Sequence, residues 1–143
     1  MQTFLPYRSF RESAAALDNK RLGKQRVECY QILKALHDKE YGWQNHPAVK
    51  MWRGYENKLV EYGLAICKEW KSRGFNDTCY DKIFGFVRSG GNPEPPFLGD
   101  LRFHRSHQSN LIRKNPEYYS SKWPLITADL PYFWPTKELE CYQ

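Results

Sequence analysis

The sequence lacks the features of a membrane protein, a secreted protein or a zinc protein. No apolar run approaches the length of a membrane-spanning helix, and no segment has the form of a secretory signal. The four cysteines, Cys29, Cys67, Cys79 and Cys141, include no CxxC pair, so the usual thiolate spacing of a zinc site is missing. We therefore expect a cytoplasmic protein without membrane association, whose thiols stay unpaired in a reducing compartment.

The sequence also has no alternating apolar pattern typical of a β-strand, and no internal repeat. Helix-starting and helix-ending residues recur along it instead, and 143 residues suffice for one domain with a real core. The prediction is a compact all-α fold in which 1–143 form a single domain and the proline- and aromatic-rich tail from Tyr118 packs over the helices. The predicted helices are one that begins at Phe10, then Asn19 to about Leu36, Pro47–Arg53, Tyr55–Arg73, a short one from Asp77 or Thr78 through Val87, and Leu101–Lys114.

Positive charge is in excess, with a formal net charge of +6 and a pI near 9.1. This balance favours nucleic acid or another polyanion as the partner. The many aromatic residues suit base stacking as well as an ordinary core, and for Trp52 and Trp123 we expect core packing.

The charge is densest at the start of the second predicted helix. The seven residues from Lys20 to Arg26 carry four positive charges and no negative one. At helical spacing, Arg21, Lys24 and Glu28 share one face. One acid among several cations suggests an anionic ligand with a reactive group set against it, but from the residues alone a plain surface ion pair of Glu28 with Lys24 is the commoner arrangement.

Two histidines lie three residues apart on the last predicted helix, at His104 and His107, and arginines surround them. Their spacing leaves open a metal site completed by His46, but no acidic ligand stands with them and the ligand spacing of zinc is absent. We expect them to bind phosphate, or to order an active site if this helix packs beside Glu28. His46, which precedes Pro47, is a candidate helix cap.

Four short motifs follow one another along the chain. They are Leu17-Asp18 with Leu22 and Glu28; Tyr41-Gly42-Trp43-Gln44-Asn45-His46-Pro47; Arg73-Gly74-Phe75; and His104 and His107 with Leu111 and Lys114-Asn115-Pro116-Glu117-Tyr118. In this order they resemble the pyrimidine-dimer DNA glycosylase family, the relatives of phage endonuclease V. The resemblance extends from residue 1 to about 119 and is closest to a branch that begins Met-Gln-Thr-Phe-Leu-Pro.

The resemblance implies a compact helical enzyme that cuts the glycosidic bond of a damaged pyrimidine in double-stranded DNA and then the backbone by β-elimination. It implies the catalytic residues as well: a glutamate at Glu28 and an N-terminal α-amine that attacks the sugar, without a metal or cofactor. In the family a small second residue lets methionine be removed. Here Gln2 is bulky, so the expected amine is that of Met1.

The first hypothesis is therefore a monomeric DNA glycosylase of this family. The resemblance and the charge together also predict which residues contact DNA. The residues expected to bind DNA are Lys20, Arg21, Lys24, Arg26, His46, His104, Arg105, His107, Arg113 and Lys114. Two other functions stay open at this point. The chain could be a non-catalytic nucleic-acid-binding module with the same fold, or a metal-dependent hydrolase that uses the three histidines.

Overall fold

The computed structural model describes residues 1–135, and over that range it contains seven α-helices and no β-strand. Helices make up 52% of it, so the prediction of an all-α fold is confirmed. The helices are α1 (Phe10–Ala16), α2 (Asn19–His37), α3 (Pro47–Lys50), α4 (Glu56–Ser72), α5 (Tyr80–Phe84), α6 (Leu101–Lys114) and α7 (Pro116–Tyr119).

Local side-chain capping accounts for the starts of α1 and α3. Ser9 Oγ accepts a hydrogen bond from the backbone N–H of Glu12 at 3.1 Å, which begins α1. His46 Nδ1 accepts from the backbone N–H of Ala48 at 3.0 Å, so His46 is the N-cap of α3 as expected. Asp18 precedes α2 but makes no side-chain cap, because its carboxylate contacts the Tyr119 hydroxyl at 2.5 Å instead.

The structure differs from the predicted helices most clearly at α3, α5 and α7. The turn after Lys50 tightens, with the backbone N–H of Arg53 bonded to the carbonyl of Lys50, so α3 ends there rather than at Arg53. α5 ends at Phe84, short of the predicted Val87. An additional short helix, α7, begins at Pro116 and includes the first two residues of the predicted tail, and Asn115 caps it by accepting from the N–H of Tyr118.

The core forms where α2 and α4 cross. A β-carbon at Gly63 on α4 would lie 2.6 Å from Cys29 Sγ on α2, so the absence of a side chain there permits the close approach of the two helices. Around this crossing α2 buries Leu22, Ile32 and Leu33 completely. Each such side chain contributes about 1.5–3 kcal/mol relative to its exposed state.

Trp52 and Trp123 both belong to the core, as expected. Trp52 is fully buried, and its indole N–H donates to Thr3 Oγ1 at 3.0 Å. Trp123 is buried against Tyr119, with the two rings nearly parallel at a centroid distance of 5.6 Å. Neither ring is available to stack on a base.

The tail after α7 returns along α6. Ser109 Oγ accepts from the backbone N–H of Leu130 at 2.9 Å, and Ser106 Oγ accepts from that of Phe133 at 3.2 Å. The tail therefore packs over the helices as predicted up to residue 135. Positions 136–143, which include Cys141, lie outside the described residues.

Among residues 1–135, Cys29, Cys67 and Cys79 are free thiols. In the same range no helix combines the length and the hydropathy needed to cross a bilayer.

Candidate active site

A cleft of about 390 Å³ opens between the N-terminal segment and the basic start of α2. It brings together the two expected catalytic residues, Met1 and Glu28, and several of the expected cations. Its lining consists of Met1, Gln2, Phe4, Lys20, Arg21, Lys24, Gln25, Glu28, Lys114 and Tyr132. The cleft therefore combines positive charge with one carboxylate and two aromatic rings.

The Glu28 carboxylate is held chiefly through one of its oxygens. Oε2 accepts from Gln25 Nε2 at 2.8 Å and from the backbone N–H of Gln2 at 3.4 Å. Oε1 lies 3.9 Å from Lys24 Nζ. The Glu28 side chain is only 12% exposed whereas that of Lys24 is 71% exposed. A pair this long to a solvated lysine contributes little, so it does not offset the cost of burying the carboxylate.

The N-terminal amine lies one residue from this carboxylate. Because the backbone N–H of Gln2 points at Glu28 Oε2, the amine of Met1 is one peptide unit away along the chain. The positive charge of the amine also acts on the ring of His46. Burial, and then the positive charge of the N-terminus, lower the pKa of His46. The amine therefore lies near both the Glu28 carboxylate and the N-cap of α3.

Side chains from three helices hold the buried segment that follows Met1. Gln25 Oε1 on α2 accepts from the N–H of Phe4 at 2.9 Å, and the Tyr62 hydroxyl on α4 donates to the Phe4 carbonyl at 2.8 Å. On α6, His107 Nδ1 accepts from the N–H of Leu5 at 2.8 Å. These bonds satisfy backbone groups of a buried segment that belongs to no helix. They also fix where the chain start lies relative to Glu28.

The expectation that His104 and His107 contact phosphate is wrong, because both rings are buried. His104 Nδ1 donates to the Leu5 carbonyl at 2.8 Å, and its Nε2 accepts from the N–H of Gly99 at 2.8 Å. Burial, and then the neighbouring His104, lower the pKa of His107 to about 3. Both histidines thus act on the backbone of the N-terminal segment, which is the ordering role left open by the sequence.

Replacing His107 by glutamine should make the free energy of unfolding depend less on pH below pH 6.5. Glutamine can still accept from Leu5 but does not titrate, whereas His107 takes up a proton near its ordinary pKa of 6.5 only when unfolded. The contribution of neutral His107 to the free energy of unfolding is fully present above pH 6.5. It is lost as pH falls toward 3, by about 1.4 kcal/mol per pH unit. Urea unfolding from pH 7 to 4.5 measures this, and parallel curves for both proteins would contradict it.

Arg26, another expected phosphate contact, is engaged within the fold and does not line the cleft. Its guanidinium pairs with Asp77, with Nη1 and Oδ1 2.7 Å apart, and lies 4.5 Å over the Trp70 ring. The Arg26 side chain is 14% exposed and that of Asp77 fully buried. Burial acts to raise the pKa of Asp77, but the bond from Arg26 and two backbone N–H groups outweigh it and lower that pKa. A β-carbon at Gly23 would lie 2.9 Å from the same Trp70 ring, which accounts for the glycine.

The other expected DNA contacts divide into two groups. Lys20, Arg21, Lys24 and Lys114 line the cleft, and Arg21 is also paired with Asp18 at 3.0 Å. Those away from its lining are Arg105, which is exposed on α6, Arg113, which donates to the carbonyl of Ala128 and to Asn110, and His46, which caps α3.

Several site residues are absent from the sequence-based set. Gln25 stands three residues before Glu28 on α2, a spacing that brings side chains together and could have revealed it. Burial raises the pKa of Tyr132, which lines the cleft, to about 12. Gln2 Oε1 accepts from the N–H of Thr3, while its Nε2 is buried without a hydrogen-bond partner. Nothing in the local sequence points to Tyr132 or Gln2.

The three histidines do not converge on a metal site. In the part of the chain that the structure describes, no three His, Cys, Asp or Glu side chains lie close enough to hold one ion. This geometry gives no support to a metal-dependent hydrolase built on His46, His104 and His107.

Comparison with known proteins identifies the family. The model of the pyrimidine dimer DNA glycosylase family matches residues 1–83, which contain Met1, Glu28, His46 and all of α1 to α4. A search of curated proteins and a search of solved structures each returned no match. The family match covers more than half of the chain and includes both sides of the cleft that hold Met1 and Glu28. The chain belongs to the pyrimidine dimer DNA glycosylase family.

Proposed function

We propose that the protein acts as a monomeric DNA glycosylase with AP-lyase activity, which excises an altered pyrimidine from double-stranded DNA. The Met1 amine is the nucleophile and Glu28 supports it. The observation that carries this proposal is the contact of the Gln2 N–H with Glu28 Oε2 at 3.4 Å, which puts the start of the chain beside a buried carboxylate.

The chemistry requires a neutral amine and a nearby carboxylate. An α-amine is partly neutral at physiological pH, so it can attack the sugar C1′ without a separate base. As the new C–N bond forms, the glycosidic bond breaks and the base departs; loss of a nitrogen proton and opening of the sugar ring then give an imine. Abstraction of a C2′ proton next expels the 3′ phosphate group by β-elimination.

Glu28 has two tasks in this scheme. Its negative charge stabilises the cationic sugar and the iminium as they form, in a cleft where water is partly excluded. Its carboxylate can also move protons between nitrogen, sugar and solvent. Gln25 is a positioning residue, since it holds both Glu28 Oε2 and the backbone of Phe4 and so fixes the distance between acid and amine.

The lysines of the cleft supply the affinity for DNA in this proposal. Lys20, Lys24 and Lys114 surround the cleft mouth, and Lys24 projects far into solvent. Cations placed in this way neutralise the phosphates that flank an extruded nucleotide, and their binding releases condensed counterions.

Replacing Lys24 by alanine should change the salt dependence of DNA binding. If Lys24 neutralises one phosphate, the slope of log K against log salt should fall by about 0.9. Fluorescence anisotropy on an undamaged duplex between 50 and 300 mM salt measures it. Lys68→Ala removes an exposed charge of α4 outside the cleft lining and is the matched control. Equal slopes for both variants would contradict a phosphate contact at Lys24.

A panel of duplex oligonucleotides tests the proposed activity directly. Each duplex carries one altered pyrimidine, and ultraviolet-irradiated duplex is included. We expect strand cleavage on at least one lesion and, with borohydride present, a covalent protein–DNA adduct. Salt-sensitive binding with no product and no adduct on any member would overturn the proposal and identify a non-catalytic binding module.

A further inference from the structure

A row of aromatic rings leads from the cleft to the surface at Trp43. Tyr132 lines the cleft and lies 5.5 Å from Trp134, measured between ring centroids. His46 lies edge-on to Trp134 at 6.0 Å and to Trp43 at 5.9 Å. Trp43 ends the row and is 57% exposed. Its indole is thus the outermost ring of a connected row that begins at the catalytic cleft.

The backbone at Trp43 is strained. Its φ is +73°, and within residues 1–135 it alone among non-glycine residues has a positive φ. An L-residue with a β-carbon adopts this conformation only at an energetic cost, because its Cβ crowds the following carbonyl oxygen. Such strain persists only where the surroundings impose it, and it is often associated with function.

The loop around Trp43 imposes that conformation. Gln44 Nε2 lies 2.7–3.0 Å from three backbone carbonyls, at Ala35, Asp38 and Tyr41. The backbone N–H of His46 closes the turn on the Trp43 carbonyl at 3.0 Å. These bonds hold the indole outward, and the ring of His46 supports one edge of it. An indole held out in the solvent buries little apolar surface, so it contributes little to the stability of the core.

We propose that Trp43 is a wedge that inserts into the DNA duplex at the gap left by the extruded nucleotide. The inference rests on the proposed glycosylase function. The cleft has its own rings, Phe4 and Tyr132, to receive the altered base, which leaves the outermost ring for the duplex itself. An aromatic ring placed in the gap stacks on the neighbouring bases and so restores stacking that extrusion removes, and a ring held rigidly by its loop loses little entropy on insertion.

The test compares binding to two duplexes that differ only at one position. One is undamaged, and the other carries a tetrahydrofuran abasic-site analogue, which offers a ready gap and resists both catalytic steps. Fluorescence anisotropy should give a preference of wild-type protein for the abasic duplex. Trp43→Ala should weaken abasic-duplex binding about tenfold and undamaged-duplex binding less than twofold, while Trp43→Phe keeps most of the preference. Phe84→Ala, at an exposed ring of α5 outside the cleft lining, should change neither.

Stability separates a wedge from a structural residue. Trp43→Gly relieves the positive φ, so it should raise the melting temperature while it abolishes the preference for the gap. Equal losses of affinity on both duplexes, or an unchanged preference in Trp43→Ala, would overturn the wedge. Cleavage of the lesion panel by the same Trp43→Ala protein at the wild-type rate would overturn it as well, yet leave the proposed glycosylase function standing. Absence of cleavage by wild type is the separate failure of that function.

Discussion

Glu28→Gln is expected to lower the rate of base excision by about 10³-fold without loss of the fold. Glutamine keeps the size of the side chain and an oxygen that can accept from Gln25 Nε2 and from the Gln2 N–H. It removes the negative charge that stabilises the cationic sugar and the group that moves protons. The large loss follows because the cleft lining offers no second carboxylate to replace it.

Single-turnover cleavage with enzyme in excess measures the chemical step, and anisotropy measures binding of the same duplex. DNA affinity of Glu28→Gln should stay the same or rise, since one negative charge near the phosphates is gone. Glu12→Gln, at an exposed acid in the first turn of α1, is the matched control and should cleave at the wild-type rate. Wild-type cleavage by Glu28→Gln would show that the carboxylate is not catalytic.

The parts of the fold that could be predicted are those governed by neighbours in sequence. The cap at Ser9, the cap at His46 before Pro47, and the end of α4 at Ser72, which Gly74 follows with a φ of +94°, all depend on residues within four positions. The end of α3 at Lys50 was mispredicted because the apolar pattern continues through Trp52 although the backbone has already tightened into turns.

Position around one helix separates two cations that the charge count treats alike. Lys24 and Arg26 are two residues apart, which is about 200° around α2. One therefore faces the cleft while the other reaches Asp77 on the opposite side. Charge density in the sequence treats both alike, whereas helical spacing already places Arg26 away from the face of Lys24 and Glu28. What the sequence does not reveal is the partner of Arg26, because Asp77 lies 51 residues further along.

The site itself could be predicted only in its local part. Spacing within α2 places Glu28 on the face of Lys24, and the cleft contains both. The buried N-terminal segment depends on partners far along the chain, since His107 is 102 residues from Leu5. A buried, neutral histidine that holds a backbone N–H has the same sequence pattern as a histidine that faces a phosphate. Packing of α6 against the chain start decides between them.

Moving the N-terminal amine by one residue should abolish the covalent intermediate. Adding one alanine before Met1 shifts the free amine by about 3.8 Å, the distance between consecutive Cα atoms. A displacement of this size removes the near-attack geometry, so the borohydride-trapped adduct should fall at least 10²-fold. Binding should change less than twofold, because the bonds from Gln2, Phe4 and Leu5 to Glu28, Gln25 and His107 lie beyond the added residue.

Rescue makes this test independent of folding. A second extended protein carries a protease site that is cut directly before Met1, and cutting should restore the adduct to the wild-type level. Intact-mass spectrometry establishes the first residue in every sample. An undiminished adduct in the extended protein would contradict a nucleophilic Met1 amine and point to a lysine of the cleft, with Lys20, Lys24 and Lys114 as the candidates. Peptide mapping of the trapped DNA decides among them, and a lysine would need its own means of losing a proton, since its amine is ordinarily far more basic than an α-amine.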